Sequence, residues 1–147
     1  MDPFLQEAIA EARKGLEEGG IPIGSVLVLD GAIIGRGHNR RLQHGNPILH
    51  AEMDCLANAG RRKAEEYRRM TIYSTLSPCD MCSGAILLYK IPLVIVGENR
   101  TFRGPEEYVR SRGVDVRVVD DPVCRQLMAA FIRDHPHHWW EDIGEPA

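Results

Sequence analysis

The sequence predicts an α/β domain built on a five-stranded mixed sheet. Three observations carry that expectation. An Asp30-Gly31 turn joins two short β-type runs into an antiparallel hairpin. Strand, helix and strand between Met70 and Val96 have the compass of a parallel βαβ crossover. A valine-rich run, Val114 to Val119, then supplies a fifth strand. At 147 residues the chain has room for one such domain, 1–147, burying roughly 68–70% of its unfolded surface.

Taken in order, Asp2-Pro3 reads as N-cap and first position of a helix running to about Glu18. Phe4, Leu5, Ile9, Ala12 and Leu16 recur along it at helical spacing, and Gly19-Gly20 ends it. Ser25–Leu29 and Ala32–Gly37 form the hairpin, and His38-Asn39-Arg40-Arg41 puts the Asn39 amide where the sheet ends. A second helix spans about His50 to Asn58 and closes at Gly60. Arg61 to Arg69 is a charge run with no apolar period, which reads as a solvated surface. After the strand Met70–Ser74, Ser77 is the expected N-cap and Pro78 the first position of a helix that continues to Tyr89. Leu93–Val96 is wholly apolar, as in a strand buried on both faces. Phe102 stands alone in a polar loop, Tyr108–Arg112 suggests a short helix, and Pro122–Arg133 a long one.

The end of the chain is unusual. Trp139 and Trp140 are its only tryptophans, and loose termini rarely carry so much apolar surface. Segment 136–147 therefore covers something, either by packing on the sheet or by closing over a small pocket and lending Asp142 to it. His135, His137 and His138, grouped around Pro136, can be set down as a surface cluster in preference to a metal site.

A net charge of -3 argues against a nucleic-acid partner, whose footprint is normally a basic excess. No apolar run reaches membrane-spanning length, and Met1-Asp2-Pro3-Phe4 has neither the basic nor the apolar region of a secretory leader. A cytoplasmic location is expected, with Cys55 and Cys124 as buried thiols.

The chemistry is concentrated in two stretches, His50-Ala51-Glu52 and Ser77-Pro78-Cys79-Asp80-Met81-Cys82. One histidine and two cysteines make the donor set of a catalytic zinc whose fourth position stays open to water. Glu52 is then left over as a carboxylate able to move that water's proton. Two cysteines three apart also suit a disulfide or an inert core, so each half is weak alone. Cys79 and Cys82 share one helical face near a positive helix end, which favours their thiolates. His50 and Glu52, two apart, point about 200° away from each other on a regular helix, so they share a site only if His50 lies at the helix entry. H-x-E followed by P-C-x-x-C is the signature of zinc-dependent nucleobase deaminases.

Over nearly its whole length the chain resembles the fungal-type cytosine deaminases of the cytidine-deaminase-like superfamily. Besides the two motifs, the likeness rests on Gly-Gly-Ile-Pro-Ile-Gly at 19–24 and Gly-Arg-Gly-His-Asn at 35–39. Further matches are Val96-Gly97-Glu98-Asn99, Val118-Val119-Asp120-Asp121 and the tail Trp139 to Glu145. The resemblance implies a three-layer α/β/α fold with helices on both sheet faces. It implies one zinc ion on His50, Cys79 and Cys82 with Glu52 as acid and base. Asn39, Ser77 and the backbone N–H of Ala51 would hold the substrate, Phe102 and Trp139 would enclose its faces, and Asp142 would meet its exocyclic amine. Ala51 stands where glycine is expected and Trp140 where phenylalanine is, and both add volume near the pocket. The implied activity is hydrolysis of the free base cytosine to uracil and ammonia in pyrimidine salvage, by a homodimer, for which the apolar Ala85–Tyr89 face is a candidate interface. Alternatives are the same chemistry on guanine, cytidine or tRNA adenosine, or a zinc-stabilised scaffold without activity.

Overall fold

Alternation along the strands decides the layering. The computed structural model describes residues 2–146. Its strands β1 (Gly24–Leu29), β2 (Ala32–His38), β3 (Met70–Leu76), β4 (Leu93–Glu98) and β5 (Asp115–Val118) form one sheet in the order β2-β1-β3-β4-β5. β1 is antiparallel to β2 and β3, whereas β3, β4 and β5 run parallel, so the sheet is mixed as expected. Asp30 and Gly31 take φ of 50° and 81°, the pair of positive values that a tight hairpin turn requires.

Val26, Val28, Tyr73 and Ile95 point to one face of the sheet, and Leu27, Leu29, Ile72, Val94 and Val96 to the other. Helices α1 (Pro3–Glu17) and α7 (Pro122–Asp134) cover the first face with Leu5, Ala8, Ile9 and Cys124. Helices α3 (Ala51–Ala59), α5 (Asp80–Tyr89) and α6 (Glu106–Ser111) cover the second with Cys55, Ala59, Ile86 and Val109. The result is the three-layer α/β/α arrangement that the likeness implied. α1 lies so close to β1 that a Cβ on Gly24 would collide with the Ala8 carbonyl. Each long helix is capped by a carboxylate: Asp2 accepts from the Phe4 N–H at 2.9 Å, and Asp121 accepts from Val123 and Cys124 at 2.9 and 3.0 Å. Each such cap contributes about 1 kcal/mol.

Three short helices, α2 (Arg41–His44), α4 (Ala64–Tyr67) and α8 (Pro136–Asp142), complete the described chain. α4 falls in the charge run, where the Lys63 N–H and the Glu66 carboxylate close its first turn at 3.0 Å. α8 is what the tryptophan-bearing tail becomes, with Pro136 at its first turn. Ser77 corrects the expected helix start. Its N–H still bonds the Glu98 carbonyl at 3.0 Å, so the β3–β4 ladder runs one residue past β3. The helix then begins at Asp80, with extended Cys79 as its N-cap in place of Ser77.

A third apolar cluster closes one end of the sheet. It joins Ile21, Ile23, Leu76 and Ala51 to Met128, Phe131 and Trp139, binding α3, α7 and α8 together at the strand ends. Both motifs lie beside it.

Candidate active site

His50 is the N-cap of α3, with φ -65° and ψ 161°, and Glu52 is the second residue of the helix. The extended backbone at His50 turns its ring toward the side on which Glu52 lies, which a regular helix would forbid. Cys79 and Cys82 sit at the corresponding places on α5, one as N-cap and the other in the first turn. Potential ligand atoms of His50, Cys79 and Cys82 all lie within 4.8 Å of one another, the one such cluster among the described residues. Cys79 Sγ is 3.4 Å from His50 Nδ1. Ligands of a tetrahedral zinc lie roughly 3.3–3.8 Å apart, given metal–ligand bonds of about 2.0–2.3 Å, so the Cys79–His50 spacing fits that ion and the donor set is one it takes.

Electrostatics shift the donors in opposite directions. A hydrogen bond from Cys82 holds the Cys79 thiol well below its ordinary value despite burial, with His50 helping, which favours its thiolate. Cys82 is pushed up by the same bond and by burial, and keeps the proton that a metal displaces. His50 presents Nδ1 to the thiols and Nε2 to Asp142 Oδ1 at 3.3 Å. Burial opposes its charge, yet the bonds to Asp142 and Cys79 outweigh this and push the imidazole up to about 11. Glu52, 4% exposed, is pushed up to about 7, first by burial and also by Cys79, while His50 pulls the other way. A carboxyl poised near neutrality can both accept and return a proton.

Above these groups lies an inner cavity of about 20 Å³, which holds about one water. Glu52, His50 and Cys79 form one wall, and Phe102, Trp139 and Asp142 the other. Phe102 meets the Trp139 indole edge-on at 6.2 Å between ring centres. Outside it opens a vestibule of about 680 Å³ between Arg41, Met81, Arg103 and Glu141, which also reaches His50, Phe102 and Asp142.

The remaining residues expected at the site are placed as follows. Asn39 is fully buried and reaches the cavity through Asp142, to which its Nδ2 donates at 3.1 Å; its Oδ1 accepts from the Arg41 N–H at 3.0 Å. Ala51 opens α3, so its N–H has no acceptor within the helix. Ser77 lines the inner cavity, but its hydroxyl is occupied, donating to Glu106 at 2.7 Å and accepting from the Gly104 N–H at 3.0 Å. Cys55 and Cys124 are buried as expected, and burial raises both thiols.

Two groups escaped the reading of the sequence. Glu106 is a lone carboxylate in a polar stretch, and nothing in its neighbourhood marks it. His38, completely buried, fits between Glu11 at 2.9 Å and Glu18 at 2.8 Å, above Gly15, where a Cβ would come within 3.1 Å of the ring. The seven-residue spacing of Glu11 and the α1 C-cap Glu18 brings both to one side of the helix, a signal that could have been found.

A three-layer domain that gathers a histidine, two cysteines and a buried glutamate at two helix starts has the makings of a zinc-dependent deaminase. The family model of the cytidine and deoxycytidylate deaminase zinc-binding region matches residues 2–98, and the chain belongs to that family. It is 50% identical over 142 residues to a cytosine deaminase of Candida albicans, covering 96% of this chain and 95% of that one. It is 48% identical to a tRNA-specific adenosine deaminase of Streptococcus pyogenes serotype M1, covering 88% of this chain and 82% of the relative. A solved structure from a study of A-to-I editing by tRNA:A34 deaminases superposes with a TM-score of 0.72 at 27% identity, over 86% of this chain and 99% of that one.

Proposed function

We propose that the protein deaminates the free base cytosine to uracil and ammonia. The carrying observation is the inner cavity, which Trp139 and Asp142 of α8 line together with Glu52 and His50. At about 20 Å³ the cavity holds one water, so a planar base enters only by displacing the Phe102 and α8 side toward the vestibule, and a base carrying a ribose needs still more room. Agreement with the Candida albicans cytosine deaminase continues through that helix, since it spans 96% of the chain.

His50, Cys79 and Cys82 would hold the zinc, and when bound it brings the pKa of a water down toward about 7. Glu52 moves the protons: it accepts one from the attacking water and delivers it to the ring nitrogen beside the amine-bearing carbon as the water oxygen bonds that carbon, then takes the second water proton and passes it to the amine as the C–N bond breaks and ammonia leaves. Phe102 and Trp139 enclose the faces of the base. Asp142 accepts from the exocyclic amine, and Asn39, bonded to Asp142 at 3.1 Å, and the Ala51 N–H hold the ring edge. The Ser77 hydroxyl and N–H are committed elsewhere, so its backbone carbonyl is what remains to meet the substrate. Segment 136–147 is the closing piece, of which Ala147 lies outside the described residues. The reading includes pyrimidine salvage in the cytoplasm and a homodimer. Leu88 and Tyr89 of α5, 66% and 43% exposed, offer an apolar pairing face beside the stacked Tyr67.

The wide vestibule supports a second reading, the same chemistry on a larger substrate such as the tRNA adenosine of the Streptococcus pyogenes relative. Ammonia release from cytosine, cytidine, guanine and tRNA by zinc-loaded protein, with Glu52→Ala as blank, separates the two. Turnover of cytosine alone is expected; release from tRNA with silence on cytosine would overturn the first reading in favour of the second.

A further inference from the structure

Loop 99–105, which carries Phe102 to the cavity, is tied at both ends to Ser77. At its start, Glu98 Oε2 accepts the N–H groups of Arg100 and Thr101 at 2.8 and 2.9 Å, while the Glu98 carbonyl accepts from the Ser77 N–H at 3.0 Å. At its end, the Glu106 carboxylate accepts from the Ser77 hydroxyl at 2.7 Å and from Asn99 Nδ2 at 3.1 and 3.2 Å. The Gly104 N–H closes the ring by donating to Ser77 Oγ. Gly104 also lies against Pro78 so tightly that a Cβ there would collide with the Pro78 carbonyl. Ser77 and Glu106 are 3% and 4% exposed, and Arg103 Nε at 3.4 Å offsets part of the buried charge.

A buried carboxylate is costly unless each oxygen is paired, and an apolar side chain would serve plain packing better. Its partners identify the purpose. Asn99 belongs to the Phe102 loop, and Ser77 lies two residues before Cys79. Resting on the reading that Phe102 covers the base, we propose that Glu106 is a positioning residue that locks the Phe102 loop to the Ser77-Pro78-Cys79 segment, holding the covering ring in register with the metal donors.

Gln at this position offers one acceptor oxygen to two donors and faces one of them with an amide, so it keeps only part of the lock; Ala keeps none. Glu106→Ala should raise the KM for cytosine about tenfold, and Glu106→Gln by a smaller factor, with kcat and zinc content within about twofold of the parent. In a Phe102→Ala background the same substitutions should add less than about twofold, because the ring they position is gone. A substrate-free readout accompanies the kinetics. In the Trp140→Phe protein, acrylamide quenching of Trp139 should rise with Glu106→Ala and recover most of the way with Glu106→Gln. Full additivity with Phe102→Ala, or unchanged quenching in folded Glu106→Ala protein, would overturn the proposal. Altered quenching in a protein that does not turn over cytosine would leave the lock standing and remove the substrate assignment alone.

Discussion

The two walls of the inner cavity are built by different means. His50, Glu52, Cys79 and Cys82 stand at the first turns of α3 and α5, helices anchored in the main core by Cys55 and Ile86. Phe102, Trp139 and Asp142 come instead from a loop and from the last helix, and are fixed by hydrogen bonds and by a smaller cluster at the sheet end. Chemistry thus rests on the part of the fold that cannot move without breaking the core. Fit to the substrate rests on segments whose ties can be altered one at a time.

Removing the proton carrier breaks the rigid wall most severely. Glu52→Ala should keep its zinc, measured by metal analysis, and lose at least about a hundredfold in turnover; near-normal turnover would remove Glu52 from its role. On the other wall, Trp139→Ala should raise the KM for cytosine by about 5- to 150-fold, the worth of one stacked base, with zinc retained. Loss of metal from Trp139→Ala would mean that the two walls are not independent.

Asn39, bonded to Asp142, follows His38, which is seated on Glu11 and Glu18, and here pH sharpens the comparison. Burial alone would raise the Glu11 carboxyl, but bonds from His38 and Arg36 outweigh it and hold the group below the usual carboxylate range. A depressed carboxylate gives stability that is present above the unfolded-state value, about 4.3, and is lost as pH falls through the lower folded value. Glu11→Gln should therefore cost about 1–3 kcal/mol in urea unfolding at pH 7, with the gap from the parent closing below about pH 4. A gap that stays constant with pH would make the loss one of packing. The smallest effect expected is at Asp121→Ala, where loss of two capping bonds on α7 should cost about 1 kcal/mol in the same assay and leave the KM unchanged.

Local patterns were legible where one stretch of chain decides the outcome. The Asp30-Gly31 hairpin, the parallel β3–β4 pair, Gly19-Gly20 as a helix stop and His50 at a helix entry all follow from nearest-neighbour chemistry. The start of α5 did not, because Ser77 satisfies its hydroxyl across the molecule on Glu106, and so leaves the capping position to Cys79. The tail was recognisable as covering something from its tryptophans, but not as a helix, since Pro136 and two histidines give no apolar period.

By itself the sequence determined the donor set, the spare carboxylate and the parallel pairing of β3 with β4. These depend on residue type at short spacing, which is written in the chain. Only the tertiary structure decided that Asn39 reaches the cavity through Asp142, 103 residues away, that His38 is seated between Glu11 and Glu18, and that Glu106 takes up the Ser77 hydroxyl. Each is a hydrogen bond between polar groups far apart in sequence, set by how the layers meet once the apolar faces are buried.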